Sequence, residues 1–291
     1  MKIFFFKFIL KLTASLPLGF IHLLGRVIGK LTWITNSRIR RIAEKNIQLC
    51  FPELNPQQQT QLVRQILNET GKVILEVGKM WHSGPEKTLN LIHGAENEHL
   101  IQQAQQQGRG VILAVPHYGS WEIANLYCAN HYPMTSMYAP SENSGIDQLI
   151  RKARQRTGGK LVPTDSSGIR AMSKALKNNE LVFMLPDQSP RDNGQFTDFF
   201  DQPCYTMTLL PKLAKKTNAV VLYTYAKRLD DSSGFKLIFR EASQDLATLE
   251  LDDALTQMNL DIEKLIRETP HQYQWTYKRF KKQPEGSPGI Y

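Results

Sequence analysis

The chain has 291 residues, 41% of them hydrophobic, which is enough apolar sequence for one large folded domain and argues against intrinsic disorder. The formal net charge is +9, but eight of the 36 basic residues precede Glu44 and no acidic residue does, so the remainder carries 28 basic against 27 acidic residues. A basic, hydrophobic N-terminus on a nearly neutral body predicts contact with an anionic membrane surface, and it argues against a nucleic-acid-binding protein.

The cysteines and the absence of several motifs narrow the class of protein further. Cys50, Cys128 and Cys204 lie far apart, with no Cys-x-x-Cys pair and no histidine at ligand spacing. We therefore expect neither a disulfide framework nor a structural zinc site, and a reducing compartment fits. The sequence has no Walker loop, no G-x-G-x-x-G and no G-x-S-x-G motif, which argues against the commonest nucleotide-binding and serine-hydrolase classes.

Residues 3–34 are apolar but interrupted. Lys7 and Lys11 fall on nearly the same helical face, and Pro17 predicts a bend or a break. Only Leu12–Gly25, fourteen residues, is free of charged side chains, which is too short to span a bilayer comfortably. The segment either crosses once, with its lysines snorkelling to the surface, or lies in the interface as a monotopic anchor.

A cleaved signal peptide is a further alternative, since a basic start precedes the apolar run. It is disfavoured because no small-x-small cleavage site follows Leu24 and the basic residues continue to Arg41. We therefore expect residues 1–34 to form a membrane anchor and residues 35–291 to form the folded domain. If the anchor crosses the membrane, the positive-inside rule puts that domain in the cytoplasm.

After the anchor, the pattern predicts two helices and then an alternation of strands and helices. The predicted helices are Arg38–Cys50, Pro56–Trp81, Asn97–Gln107, Trp121–Asn130, Gly145–Thr157, Gly168–Asn178, Thr206–Thr217 and Asp253–Thr269. The predicted strands are Leu89–His93, Val111–Val115, Thr135–Tyr138, Lys160–Val162, Leu181–Leu185, Ala219–Tyr225 and Phe235–Phe239, with a long binding loop at residues 186–205. In the second helix, a stripe expected to face the core comprises Leu62, Ile66, Val73, Val77 and Met80. The alternation predicts an α/β fold with a central mixed sheet flanked by helices, and with ligands at the strand ends.

The six residues from His117 to Glu122 link the predicted strand Val111–Val115 to the following helix. On a regular helix, residues five apart point about 140° away from each other, so these two side chains can cooperate only across a break, which Gly119 supplies. Ser120 is predicted to be the N-cap, and Glu122 lies in the first turn, where a carboxylate is favoured. We expect Glu122 to hold one imidazole nitrogen and to leave the other free to take a proton from a hydroxyl. A histidine that is merely hydrogen-bonded to a capping carboxylate is the alternative.

Two further groups are candidates for substrate binding. The predicted helix Gly145–Thr157 carries Arg151, Lys152, Arg154 and Arg156, with Lys160 just beyond and only Asp147 opposing them. Arg151, Arg154 and Arg156 near a strand end can bind phosphate, although a solvated basic face is the alternative for each of them. Asp187 and Gln188 follow the strand Leu181–Leu185. The carboxylate can bind a sugar hydroxyl, order Arg154 or Arg156, or simply cap a turn.

The H-x-x-x-x-E pattern after a hydrophobic strand resembles the signature of the glycerolipid acyltransferase superfamily. Four segments in the right order resemble one family within it, the late acyltransferases of lipid A biosynthesis. These are Asn46–Pro52 with the helix to Trp81, Gly108–Val111 through Trp121-Glu122, Leu185–Gln188 with Phe199-Phe200 and Thr206-x-Thr208, and Pro270–Pro284. The sequence departs from that family at Ser189-Pro190-Arg191 and at Asp201, where an aromatic or small-residue stretch and a glycine are expected. These departures leave the acceptor and the acyl chain length open.

The resemblance implies a glycerol-3-phosphate acyltransferase-like fold. It also implies transfer of a fatty acyl chain from acyl carrier protein to a hydroxyl of a Kdo-bearing lipid A precursor, at the cytoplasmic face of the inner membrane. His117 would deprotonate the hydroxyl, Glu122 would orient the imidazole, and backbone donors near Gly119 or a nearby arginine would meet the oxyanion. No metal and no cofactor are expected. The expected partners are acyl carrier protein, the lipid A precursor and membrane lipid, with a monomeric protein and no nucleic acid.

Three alternatives remain open from the sequence. One is an acyl-CoA-dependent enzyme of the same superfamily that acts on a lysophospholipid or a glycolipid. Another is a membrane-tethered lipid-binding relative that keeps the fold without the activity. The third is a hydrolase in which Ser120 is the nucleophile.

Overall fold

A computed structural model describes the backbone of residues 2–291 and the side chains of residues 7–291. Its helices are α1 (Lys2–Ser15), α2 (Leu18–Ile34), α3 (Arg38–Cys50), α4 (Pro56–His82), α5 (Pro85–Leu89), α6 (His99–Gln106), α7 (Trp121–His131), α8 (Ser144–Gln155), α9 (Ser166–Lys177), α10 (Leu209–Thr217) and α11 (Leu251–Glu268), followed by a 3₁₀ turn at Pro270–Gln272. Its strands are β1 (Ile92–Glu96), β2 (Val111–Ala114), β3 (Met134–Met137), β4 (Lys160–Val162), β5 (Leu181–Met184), β6 (Gly194–Phe199), β7 (Gln202–Met207), β8 (Val220–Arg228) and β9 (Phe235–Glu241). The strand predicted at Leu89–His93 begins later, because residues 85–89 are helical.

The central sheet has the strand order β1-β9-β8-β2-β5-β3-β4. Strand β2 pairs in parallel with β5 on one side and with β8 on the other, whereas β9 runs antiparallel to β8. The chain between β8 and β9 is too short for a crossover helix, and a short link of this kind joins antiparallel neighbours. The predicted mixed sheet flanked by helices is therefore confirmed.

Strand β2 is buried on both faces, which explains why its apolar residues do not alternate with polar ones. Ile112 and Ala114 point into a core cluster shared with α3, α4, α9, α10 and α11, whereas Val111 and Leu113 point into a second cluster shared with α6 and α7. All four side chains are fully buried. A strand covered on both faces reads as a continuous apolar run, which is the pattern that predicted this strand.

The segment predicted as a long binding loop, residues 186–205, is only partly a loop. Strands β6 and β7 pair as an antiparallel hairpin that is separate from the central sheet. The two turn residues, Phe200 and Asp201, have φ of 50° and 56°. Hairpin turns of this backbone shape favour Gly, Asn or Asp, so the sequence carries a turn signal at only one of the two positions. Asp201 stands where the resembled family has glycine, and aspartate tolerates this conformation.

The break predicted at Pro17 is confirmed, because α1 ends at Ser15 and α2 begins at Leu18. Helix α2 packs closely on α4. A Cβ atom added to Gly25 would lie 2.6 Å from the backbone nitrogen of Lys72, and one added to Gly71 would lie 2.1 Å from the carbonyl oxygen of Gly25. Glycine at these positions allows the two helix backbones to touch.

The opposite face of α2 is exposed and apolar. It comprises Phe20, Leu23, Val27, Leu31 and Ile34, which follow one another at helical spacing. Across residues 2–291, none of the helices combines the length and the apolar character that crossing a membrane requires. The division into an anchor of residues 1–34 and a domain of residues 35–291 stays a prediction, with α2 packed against that domain.

Candidate active site

The parallel pairing of β2 with β5 builds the site. Ala114 and Met184 are register partners at the ends of these strands, and His117 and Asp187 each lie three residues further along the chain. Because the carboxyl ends of parallel strands meet at one edge of the sheet, the two side chains come together there. His117 Nδ1 lies 2.9 Å from Asp187 Oδ1, and the backbone N–H of His117 donates to Asp187 Oδ2 at 2.9 Å.

The state of Asp187 fixes the state of the imidazole. Burial raises the pKa of this carboxyl, but His117 and its two hydrogen bonds, with the charge of Arg279, outweigh burial and lower the pKa below its ordinary value. The carboxylate is therefore ionised near neutral pH and can only accept hydrogen bonds, so His117 Nδ1 must donate. The second ring nitrogen, Nε2, is left as a lone pair that can take a proton.

The prediction that Glu122 contacts His117 is wrong. Glu122 accepts instead from Arg154, with Arg154 Nε 3.1 Å from Glu122 Oε2 and a second hydrogen bond from Nη2 to Oε1. The turn at Gly119 does break the helix, as expected. The ring that packs against the imidazole is that of Trp121, with centroids 5.0 Å apart. Glu122 is directed towards α8, and the carboxylate that contacts the imidazole is Asp187.

The predicted N-cap lies where expected, because Ser120 directly precedes α7. Its side chain nevertheless makes no capping hydrogen bond to the helix. Among the described side chains, none of the hydrogen bonds joins Ser120 to His117. The geometry therefore gives no support to Ser120 as a nucleophile activated by this histidine.

The two arginines of α8 and its C-cap residue, Arg156, lie in three different environments. Arg154 pairs with Glu122 at the site, whereas Arg151 is exposed and donates to the Tyr138 hydroxyl at 3.4 Å. Arg156 donates to the carbonyl of Ser83 and, at 3.0 Å, to the hydroxyl of Thr88. These contacts tie the residue that follows α8 to the junction of α4 and α5. The three arginines therefore have different partners, and their binding of phosphate stays a prediction.

An open cleft of about 280 Å³ lies beside the imidazole. Its apolar wall is formed by Val73, Val77, Met80, Trp81 and Trp121, and its polar wall by Glu76, His117, Ser120, Glu122, Arg154, Gln188 and Gln274. Part of the α4 stripe that was expected to face the core lines this cleft instead, since Val73 and Val77 are only partly buried. The cleft thus joins an apolar surface to a histidine with a free nitrogen and to an arginine.

The closing segment supplies a wall residue that sequence reasoning did not single out. Gln274 accepts a hydrogen bond from Gln188 Nε2 at 3.0 Å, and its backbone N–H donates to the carbonyl of His117 at 3.0 Å. Asn46 fixes this segment, because its amide donates to the carbonyls of Trp275 and Tyr277 at 2.6 and 2.8 Å. The resemblance did contain the signal, since it matched Asn46 and the closing segment separately.

Metal ligation is not indicated by the described side chains. Within residues 7–291, histidine, cysteine, aspartate and glutamate do not form a group of three or more with metal-binding geometry. The expectation that the protein needs no metal stays a prediction.

The chain is similar to known proteins along nearly its whole length. The sequence model of the bacterial lipid A biosynthesis acyltransferases matches residues 1–282. The lipid A biosynthesis lauroyltransferase of Escherichia coli K12 is 31% identical over 288 residues, which covers 97% of this chain and 92% of the relative. The lipid A biosynthesis palmitoleoyltransferase of E. coli K12 is 28% identical over 285 residues, covering 97% and 92%. A lipid A biosynthesis acyltransferase of Haemophilus influenzae is 28% identical over 286 residues, covering 96% and 87%.

Proposed function

The chain belongs to the bacterial lipid A biosynthesis acyltransferase family and is an acyltransferase, and from this premise we propose its donor, its acceptor and its catalytic residues. The donor is acyl carrier protein loaded with a fatty acyl chain, and the acceptor is a hydroxyl of a Kdo-bearing lipid A precursor. The observation that carries the catalytic assignment is the double hydrogen bond from His117 to one buried carboxylate, in the wall of an open cleft.

The proposed reaction follows from the free nitrogen of His117. Nε2 takes the proton of the acceptor hydroxyl as its oxygen attacks the thioester carbonyl, and a C–O bond forms. The tetrahedral oxyanion then collapses, the C–S bond breaks, and the carrier thiolate leaves with the proton from Nε2. Asp187 stabilises the imidazolium that exists between these two transfers and keeps the ring from rotating.

Arg154 supplies positive charge to the cleft. Glu122 fixes its guanidinium with two parallel hydrogen bonds, a geometry that arginine and carboxylate favour. Burial lowers the pKa of Arg154, but Glu122 outweighs burial and raises it, so the charge is permanent. Arg154 then meets the oxyanion or a substrate phosphate, and Glu122 acts through Arg154 rather than through His117.

The remaining polar and apolar walls fit the two substrates. Gln188 and Gln274 offer amide groups for sugar hydroxyls of the acceptor. The valines and the methionine of α4 give the acyl chain an apolar surface. Asp187, which the sequence had also offered as a ligand for a sugar hydroxyl, has both oxygens engaged by His117.

The proposal is tested by mass spectrometry of lipid A from cells with and without this protein. Cells that lack it should make lipid A that is lighter by one ester-linked acyl chain. Wild-type protein should restore the missing chain, and a His117→Ala protein produced at the same level should not. Identical lipid A in both strains would contradict the proposal.

The arginines of α8 should differ in what they change. Arg154→Ala removes a charged hydrogen-bond donor from the cleft, so kcat/KM should fall by an amount equivalent to roughly 1–3 kcal/mol. Arg151→Ala is the matched control on the same helix. Because the Arg151 side chain is exposed, of the two substrates it can contact only the carrier protein, and its removal should raise KM slightly. Arg156→Ala should lower the melting temperature with little change in the kinetics of the folded fraction. Equal kinetic losses from all three substitutions would contradict this separation.

Membrane attachment at the cytoplasmic face of the inner membrane is proposed through the exposed face of α2. The helix lies in the interface, with its apolar side chains inserted among the lipids. Arg26 and Lys30 lie on the flank of that face and, with Arg64 of α4, line a groove of about 460 Å³. These cations complement the phosphates of an anionic membrane surface.

The double change Leu23→Asp/Leu31→Asp should weaken binding to anionic vesicles by at least about tenfold, because each fully buried leucine contributes roughly 1.5–3 kcal/mol. Leu260→Asp, which alters an exposed leucine of α11, is the matched control and should bind as wild type does. Point changes are preferred to removal of residues 1–34, since removal would also uncover the face of α4 that α2 covers. Vesicle binding by the double variant equal to that of wild type would show that another surface carries the attachment.

A further inference from the structure

A cluster of charged side chains lies buried next to the site without touching His117. Arg228 at the end of β8 has only 2% of its surface exposed. It donates to Glu76 twice, from Nε to Oε1 at 2.6 Å and from Nη2 to Oε2 at 2.7 Å, and to Glu69 Oε2 at 3.4 Å. His22 of α2 completes the cluster, with Nε2 2.7 Å from Glu76 Oε1.

The second N–H of Arg228 Nη2 reaches the turn that carries the catalytic histidine. It lies 3.0 Å from the carbonyl oxygen of Gly119, two residues after His117. We call residues 117–120 the catalytic turn. The charged cluster is thus connected to the backbone of that turn by a single buried hydrogen bond.

The catalytic turn has little room to move in any other direction. Gly119 has φ of 61°, and a Cβ atom there would lie 1.9 Å from the carbonyl oxygen of Ala226. Its backbone N–H donates to the carbonyl of Gln272 at 3.0 Å, and the N–H of Ser120 donates to Ala226 at 2.9 Å. The side chain of Gln272 in turn pairs with the backbone N–H and carbonyl of Arg228, at 2.9 and 3.2 Å. The Arg228 side chain therefore contacts the turn directly, and the Arg228 backbone holds Gln272, which contacts the same turn.

Stability alone is a weak explanation for this cluster. Taking an arginine and a glutamate out of water is unfavourable for each ion, and apolar residues of similar volume often replace such pairs without loss of stability. What an apolar pair cannot supply is a hydrogen bond to the Gly119 carbonyl. That carbonyl belongs to the turn that carries His117, so a shift of the turn moves the imidazole relative to Asp187.

We propose that Arg228, fixed by Glu76, is a positioning residue that sets the catalytic turn, and with it His117, in the reactive orientation. The inference rests on the proposed role of His117 as the base. A displacement of about 1 Å at a reacting group can cost about 100-fold in rate, so a small shift of this turn has a large kinetic effect. The effect falls on turnover rather than on substrate binding, because neither the Arg228 guanidinium nor the Gly119 carbonyl is assigned a substrate contact. Glu76 borders the cleft, but His22 and Arg228 engage both of its carboxylate oxygens.

The test uses the double variant Arg228→Met/Glu76→Met, which removes the two most buried charges of the cluster together, while Glu69 keeps Lys72 as its ion-pair partner. Its kcat should fall by between about 10- and 100-fold, and its KM should change by less than about threefold. The matched control Arg240→Met/Glu96→Met removes an arginine–glutamate pair from the edge of the same sheet and should keep wild-type kcat. Arg228→Lys retains the charge but not the forked geometry, so its kcat should lie between those of wild type and the double variant.

A spectroscopic measurement separates positioning from a purely structural role. In protein labelled with ¹⁵N-histidine, wild type should show His117 with its proton on Nδ1. The double variant should show a mixture of tautomers, because a shifted turn carries Nδ1 out of hydrogen-bond distance of Asp187. Folding is checked by circular dichroism, and if the double variant does not fold, Arg228→Lys is judged by the same two readings. A folded variant with wild-type kcat and an unchanged His117 signal would overturn the inference, as would a fall in kcat with that signal unchanged. A changed signal with wild-type kcat would support positioning and contradict the proposed function instead.

Discussion

Replacement of His117 by alanine should lower kcat by between about 10² and 10⁴-fold, the contribution of a positioned general base, while the protein remains folded. His117 has a ring nitrogen that can accept a proton, a buried carboxylate as partner of its other ring nitrogen, and a position in the wall of the cleft. The loss should appear with the natural donor and acceptor at saturating concentrations.

Ser120→Ala serves as the comparison for His117→Ala. Ser120 borders the cleft, but its side chain makes no capping hydrogen bond, so most transfer activity should remain without it. A His117→Ala protein with wild-type turnover would remove the base from the mechanism. A folded but inactive Ser120→Ala protein would move the chemistry to a serine nucleophile.

Asp187→Asn should be nearly as damaging as His117→Ala, with a loss of kcat of about 10²-fold or more. The carboxylate accepts two N–H groups of His117, one from the ring and one from the backbone. An amide has only one acceptor oxygen, so its NH₂ group must face one of these donors, and the imidazole turns or changes tautomer. Residues that act as a unit are not additive, so the double variant His117→Ala/Asp187→Asn should be little worse than His117→Ala alone.

Glu122→Gln is the control that separates the two carboxylates. If Glu122 acts through Arg154, Glu122→Gln should lower kcat/KM about as much as Arg154→Ala does. The effects of Glu122→Gln and His117→Ala on the activation free energy should then add. A Glu122→Gln variant that is worse than Asp187→Asn, and not additive with His117→Ala, would restore Glu122 as the partner of the imidazole.

The sequence predicted the frame of the site better than its contacts. The apolar run of β2, the break at Gly119 and the start of α7 are local features, and each was found from neighbouring residues. The partnership of His117 and Asp187 is not local, since 70 residues separate them. This contact can be predicted only when the pairing and register of β2 and β5 are known. The sequence of either strand alone does not determine its neighbour in the sheet.

Proximity in sequence was misleading for Glu122. Five residues separate it from His117, but the first turn of α7 directs its side chain to Arg154 of α8. The charged cluster at Arg228 was missed for a related reason. Glu69 and Glu76 lie on a helix that reads as amphipathic, and their buried partner is more than 150 residues away, on a strand.

The most direct test of the central claim offers purified protein a radiolabelled acyl chain on acyl carrier protein, together with a Kdo-bearing lipid A precursor. The label should move to the precursor, free fatty acid should not accumulate, and the His117→Ala protein should transfer almost none. Acyl-CoA with a lysophospholipid, offered in parallel, should be used poorly. Release of free fatty acid, binding without transfer, or better transfer to the lysophospholipid would contradict the account.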